Sequence, residues 1–222
     1  MKKAYLSLVA IAALTIASCG GGEEKKEDKE GKDNKEVKDT TNAEKEITYT
    51  TYVLDTAATT LTWHGTHTGK PDKHHVGTVD VVKGTLTASL ADAKIESGQF
   101  VIDLTTLKST DLEGKAAENL IGHLKTPDFF NVEQAATATL VVTGIENGAV
   151  KGRLAVAGKE FDVTMPIQLS ENAEGQLIAN GSFEVDFASA NMPGMQPEEG
   201  KEDKGHVNTV VKYDLNLVMN KQ

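Results

Sequence analysis

Four of the six histidines, His64, His67, His74 and His75, lie within a run of twelve residues. Imidazole suits zinc, copper and nickel, so metal binding is the first chemistry to weigh. The spacing opposes it. Residues three apart in an extended strand face opposite sides, so His64 and His67 diverge, and the adjacent His74 and His75 diverge unless a loop holds them. A histidine cluster around the 68–73 loop stands as the metal-binding alternative. The carboxylates Asp103, Asp111, Asp128 and Asp186 are dispersed along the chain. Asp111 and Asp128 are expected to cap turns around a helix rather than to form an acid–base pair. The chain carries no G-x-S-x-G, H-E-x-x-H, P-loop or dinucleotide fingerprint. These residues point away from an enzyme and from any cofactor, and toward binding.

The single cysteine carries a different chemistry. Cys19 follows Ile16-Ala17-Ser18 at the end of an apolar run, residues 4–15, which Lys2 and Lys3 precede. A basic start and an apolar stretch too short to span a bilayer mark a secretory signal. Small residues before a cysteine are the pattern of a bacterial lipoprotein signal. Residues 1–18 are therefore expected to be the signal peptide, and Cys19 the lipidated first residue of the mature chain. One cysteine also excludes an intramolecular disulfide. Residues 19–46 read as a charged tether in which Val37 is the only large apolar residue. Such a segment cannot bury enough surface to offset its ordering entropy, so it is expected to be disordered and to reach about 25–30 Å. The expected location is the cell envelope, at the outer membrane and facing the periplasm or the cell surface.

The formal charge is −10, or −12 without the signal that bears Lys2 and Lys3, and Arg153 is the only arginine. Binding to a phosphate backbone needs clustered Lys and Arg, so nucleic acid is a poor partner. An acidic bilayer surface would repel the domain, which leaves the lipid on Cys19 as the membrane attachment.

The elements that must position these residues are strands. Residues 47–222 have the length of one domain with a real core. Phe100, Ile102 and Leu104 alternate with polar or exposed-type partners, as do Phe161, Val163, Met165, Ile167 and Leu169, and Tyr213, Leu215, Leu217 and Met219. Asn147-Gly148 is a two-residue hairpin signal, and Ala157-Gly158 resembles a second. About eight strands with one apolar face close into a barrel or stack as a sandwich. Long strands and the mid-strand glycines Gly84, Gly152 and Gly181, which ease bending, favour the barrel. The one helix is expected over 115–125, with Ala116, Leu120, Ile121 and Leu124 on one face and Pro127 ending it. Residues 192–204 read as a loop that mixes Met192 and Met195 with acidic residues. The candidates to face the interior are Trp63, Phe100, Ile102, Leu104, Leu140, Val142, Phe161, Phe183 and Tyr213. Phe129 and Phe130, side by side at the helix end, plug a core or roof a cavity.

Gly122-His123-Leu124-Lys125 followed by Asp128-Phe129-Phe130-Asn131-Val132 resembles the signature of the YceI-like domain family. The stretch Leu61-Thr62-Trp63-His64-Gly65 resembles the family's opening strands, and His75-Val76-Gly77 its H-x-G element. Gly98-Gln99-Phe100-Val101-Ile102-Asp103-Leu104 and Gly152-Arg153-Leu154-Ala155-Val156-Ala157-Gly158-Lys159 are similar to later strands. Gln134-Ala135-Ala136, Glu184-Val185-Asp186 and the acidic residues at 198–204 depart from the family's pattern. The resemblance implies a mainly β protein, an antiparallel eight-stranded lipocalin-like barrel with one short helix. It also implies a lumen that holds a long isoprenoid chain. Side chains alone can instead fill so small a barrel, which would leave a structural or interaction role.

Overall fold

The computed structural model describes residues 45–70, 72–197 and 205–222. The signal peptide, Cys19, the tether up to residue 44 and the acidic residues 198–204 lie outside the described residues. Ten strands are found among the described residues: β1 (Thr50–Leu54), β2 (Thr60–Thr66), β3 (His74–Ser89), β4 (Lys94–Ser109), β5 (Thr137–Glu146), β6 (Ala149–Val156), β7 (Lys159–Met165), β8 (Gln168–Glu171), β9 (Leu177–Asp186) and β10 (Val210–Lys221). One helix, α1 (Gly114–Leu124), separates β4 from β5. All pairings are antiparallel, in the order β7-β6-β5-β4-β3-β1-β10-β9-β8, with β2 joining β3 to β10 beside β1.

The count of ten rather than eight has a local cause in two places. The chain segments β1 and β2 occupy one stave, both lying between β3 and β10. They are split where the Asp55 carboxylate accepts from the N–H groups of Ala57 and Ala58, a turn typical of Asp. Thr59 Oγ1 then accepts from Val218 N at 3.1 Å, standing in for the interrupted ladder. Segments β7 and β8 form another stave, which pairs with β6 first and β9 second. Pro166 breaks it because proline has no N–H to donate, yet Phe161, Val163, Met165 and Ile167 keep the same inward parity across the break. Closure follows at Gly181 on β9, where a Cβ would stand 3.0 Å from both Ile167 Cα and Pro166 O. The ten segments thus make the eight staves of a barrel.

The turns obey the sequence signals. Asn147 and Gly148 have φ of 52° and 77°, and Ala157 and Gly158 have φ of 50° and 73°. Positive φ at both central residues suits the twist of the flanking strands. The helix starts one residue earlier than expected. Its N-cap is Glu113, with no side-chain cap. Asp111, in the turn before the helix, accepts from Val76 N and Ser109 Oγ and fastens the end of β4 to β3. The helix buries no residue completely, but Leu120, Ile121 and Leu124 rest against the core.

The mid-strand glycines differ from expectation in their purpose. Gly84 and Gly152 have ordinary negative φ and are places of close approach. A Cβ on Gly84 would stand 2.4 Å from the Phe100 ring, and one on Gly77 would stand 2.2 Å from Trp63 and 1.9 Å from Lys108 O. The wall is thinned where an aromatic ring has to lie across it.

Candidate functional site: an apolar lumen

Strand parity carries the apolar side chains inward, and they do not fill the interior. One end of the barrel is solid. Tyr52, Leu54, Ala88, Leu177 and Met219 are buried there and do not border open space. Beyond them lies a cavity of about 160 Å³, about ten times the room one water needs. Among the described residues, no charged one lines it.

Ten of the eleven residues expected at the lumen border the cavity: Trp63, Phe100, Ile102, Leu104, Phe129, Phe130, Leu140, Val142, Phe183 and Tyr213. Phe161 does not. It is buried, but packs against Phe187 with ring centroids 5.2 Å apart. Phe187 in turn meets Phe130 at 6.0 Å, so the three rings form a solid aromatic chain at the helix end. Alternation predicts an inward side chain without saying whether empty space lies before it. The same parity also brings Val79, Val163, Met165, Ile167 and Leu217 to the cavity wall, beside the residues expected there. Met195 was missed for another reason: it comes from a 3-10 turn, Pro193–Met195, with no periodicity to mark it.

Phe129 and Phe130 therefore roof a cavity. Both border it, and both are buried. The chain beneath them is held by Phe129 N donating to Thr126 O and Phe130 N to Leu124 O, at 3.1 Å each, and Val132 N to Lys125 O at 3.0 Å. Phe129 is clamped between the edge of His123, 5.0 Å away, and the bare backbone of Gly194, where a Cβ would come within 2.3 Å of the ring. Lys125 Nζ donates to Thr105 O at 2.7 Å and ties the helix end to β4.

Along β2, β10 and β9 the aligned residues Trp63, Tyr213 and Phe183 make an aromatic tier. Phe183 and Tyr213 stack with centroids 5.4 Å apart and planes 19° apart. The indole of Trp63 lies over Gly77, and its Nε1 donates to Thr78 O at 3.3 Å. Burial pushes the Tyr213 phenol well above its ordinary pKa.

The four histidines are not brought together. His64 Nε2 donates to Asp214 Oδ2 at 2.6 Å, and His75 Nδ1 to Asp111 Oδ2 at 2.8 Å. His67 Nδ1 donates to the Thr68 carbonyl at 3.1 Å, and His74 is exposed. Among the described residues no three His, Cys, Asp or Glu side chains converge as ligands would. The rings of His64 and His75 tie one strand or its end to another, and that of His67 closes on the loop that follows it. The Ser182 hydroxyl also donates to Asp214, and Lys212 Nζ lies 3.1 Å from it. The Ser182 hydrogen bond, with help from Lys212 and His64 and against burial, holds the Asp214 carboxyl down to about 2.

The family model described as the YceI-like domain matches residues 52–219. Two solved structures share the fold. One is the crystal structure of BcnA from Burkholderia cenocepacia, 20% identical, with a TM-score of 0.59, covering 74% of this chain and 98% of that one. The other is a polyisoprenoid binding domain from Saccharophagus degradans implicated in plant cell wall breakdown. It is 16% identical, with a TM-score of 0.53, covering 80% of this chain and all of that one. Comparison with the curated proteins gives no match.

Proposed function

The chain belongs to the YceI-like domain family, and from that premise we propose that it binds a long apolar lipid of the isoprenoid type inside its barrel. The observation that carries this reading is the apolar cavity itself. Side chains around a void lose dispersion contacts, at about 24 cal/mol per Å³ of empty cavity. A hydrocarbon chain would restore those contacts and add about 0.8 kcal/mol for each methylene it buries. The polyisoprenoid binding domain of the same fold supports the choice of an isoprenoid. No covalent step and no cofactor are required. Binding is proposed to take place in the cell envelope, with the protein held to the outer membrane by a lipid on Cys19, so that the ligand is carried, stored or sensed beside the bilayer.

Organic extraction of the purified protein followed by mass spectrometry tests this reading. An isoprenoid lipid at near one equivalent is the expected result. Protein that yields no lipid, and that takes up none when offered isoprenoids, would leave a structural or interaction role.

A further inference from the structure

The cavity has a solid floor and a roof, so a ligand needs a way in. The roof is tied down by the backbone bonds beneath Phe129 and Phe130. Past Asp103 the free edge of β4 is covered by α1, with Leu104 N donating to Ala136 O and Lys125 Nζ to Thr105 O. One seam in the wall is fastened differently. The strands β7 and β9 lie side by side, yet no ladder joins them among the described residues. The cause is local. The β8–β9 register, which sets Gln168 beside Asn180, would if continued set Val163 beside Val185 and Phe161 beside Phe187. Pro166 interrupts it: it has no N–H, and Ile167 N turns back to donate to Met165 O at 2.7 Å. Side chains alone seal the gap. Val163, Met165, Val185 and Phe187 are buried and also border the cavity. Outside, Glu160 and Asp162 stand exposed on one border, Glu184 and Asp186 on the other. No ion pair crosses among the described residues, and Asp162 pairs instead with Arg153 on β6.

We infer that the β7–β9 seam is a side entrance through which a hydrocarbon chain passes into the lumen. The inference rests on the lipid-binding reading and adds the route to it. Parting two laddered staves breaks backbone hydrogen bonds. Parting these two separates apolar side chains, whose contacts a passing hydrocarbon replaces in kind. Carboxylates on both borders add nothing to hold the seam shut.

The test uses the full chain in a Cys19→Ser background, which removes the only native thiol. Thr164→Cys with Glu184→Cys places one thiol on each border of the seam, outside the lumen. Thr139→Cys with Ala155→Cys does the same across the laddered β5–β6 wall. A short bifunctional methanethiosulfonate bridges each pair, and reductant removes it. Bridging the seam should slow stopped-flow exchange of an NBD-labelled geranylgeranyl chain at least about tenfold, through the higher barrier to parting the strands, and reduction should restore the rate. The control bridge should leave the rate unchanged. Equal rates in the bridged and reduced seam variant, or equal slowing by the control, would overturn the entrance while lipid binding stands. Protein that takes up no probe in any form would overturn the lipid-binding reading and the entrance with it. Amide hydrogen exchange on the unaltered chain is a second measure. The strand β7 should exchange faster than β5, which has a ladder on each side, and equal protection of the two would overturn the entrance.

Discussion

Individual glycines decide what the lumen is. Gly77 and Gly65 stand on either side of Trp63 and have opposite tolerances. A methyl group at Gly77 collides with both Lys108 O and the indole, so Gly77→Ala should cost about 2–3 kcal/mol in urea unfolding through overpacking. At Gly65 the nearest atom to a new Cβ is Trp63 Cζ3 at 4.0 Å, the backbone φ is ordinary, and the side chain would enter the cavity. Gly65→Leu should therefore fold with an unchanged or higher melting temperature and no longer retain lipid on extraction and mass spectrometry. The pair separates loss of folding from loss of the lumen. Neither tolerance is visible in the sequence, where both glycines sit in similar strand patterns; the difference is what the neighbouring strand places opposite.

At the scale of elements, two arrangements border the lumen, one on its wall and one at its roof. The outer face of β2, β9 and β10 is joined at Asp214, which accepts from His64 and Ser182 and lies beside Lys212. Its carboxyl is held down to about 2, whereas an unfolded aspartate titrates near ~3.9. A depressed folded pKa means that this contribution to stability is complete above about pH 4 and is lost as the pH falls toward 2. Asp214 is substantially exposed, so the effect is modest. Thermal unfolding across this window should show a smaller acid-induced drop in Asp214→Asn than in the wild type. At the roof, α1 and the 3-10 turn meet through Phe129 and Gly194. Gly194→Ala would drive a methyl into the ring and displace it. Stopped-flow exchange of a bound fluorescent isoprenoid should then be faster than in the wild type, with the far wall unaffected. The helix and its proline stop were legible from periodicity. The role of Met195 was not, because a loop residue becomes part of a roof only when the barrel brings it over Phe129's end of the lumen.

For the molecule as a whole, a ligand that binds only the folded barrel must stabilise it, by about 2.7 kcal/mol at a hundredfold excess over its Kd. Delipidated protein should therefore melt lower than protein reloaded with an isoprenoid, and calorimetry of the two forms measures the difference. Phe100→Asp should remove that difference, because a carboxylate in the cavity wall makes apolar occupancy unfavourable. Much of this architecture was already present in one dimension. A period of two in Phe161 to Leu169 and in Tyr213 to Met219 dictates which side chains face inward, since strand geometry admits no other parity. Asn147-Gly148 and Ala157-Gly158 dictate hairpins, since positive φ is available to few residues. The histidine spacing likewise argued against convergence, and His64, His67 and His75 are found on separate partners while His74 is exposed. Tertiary structure alone decided two things: that β1 with β2 and β7 with β8 share staves, and that Phe161 packs solidly while Phe100 borders the cavity. Each depends on the distance across the barrel between residues far apart in the chain. Periodicity reports the direction of a side chain, and only closure of the sheet reports what, if anything, it meets.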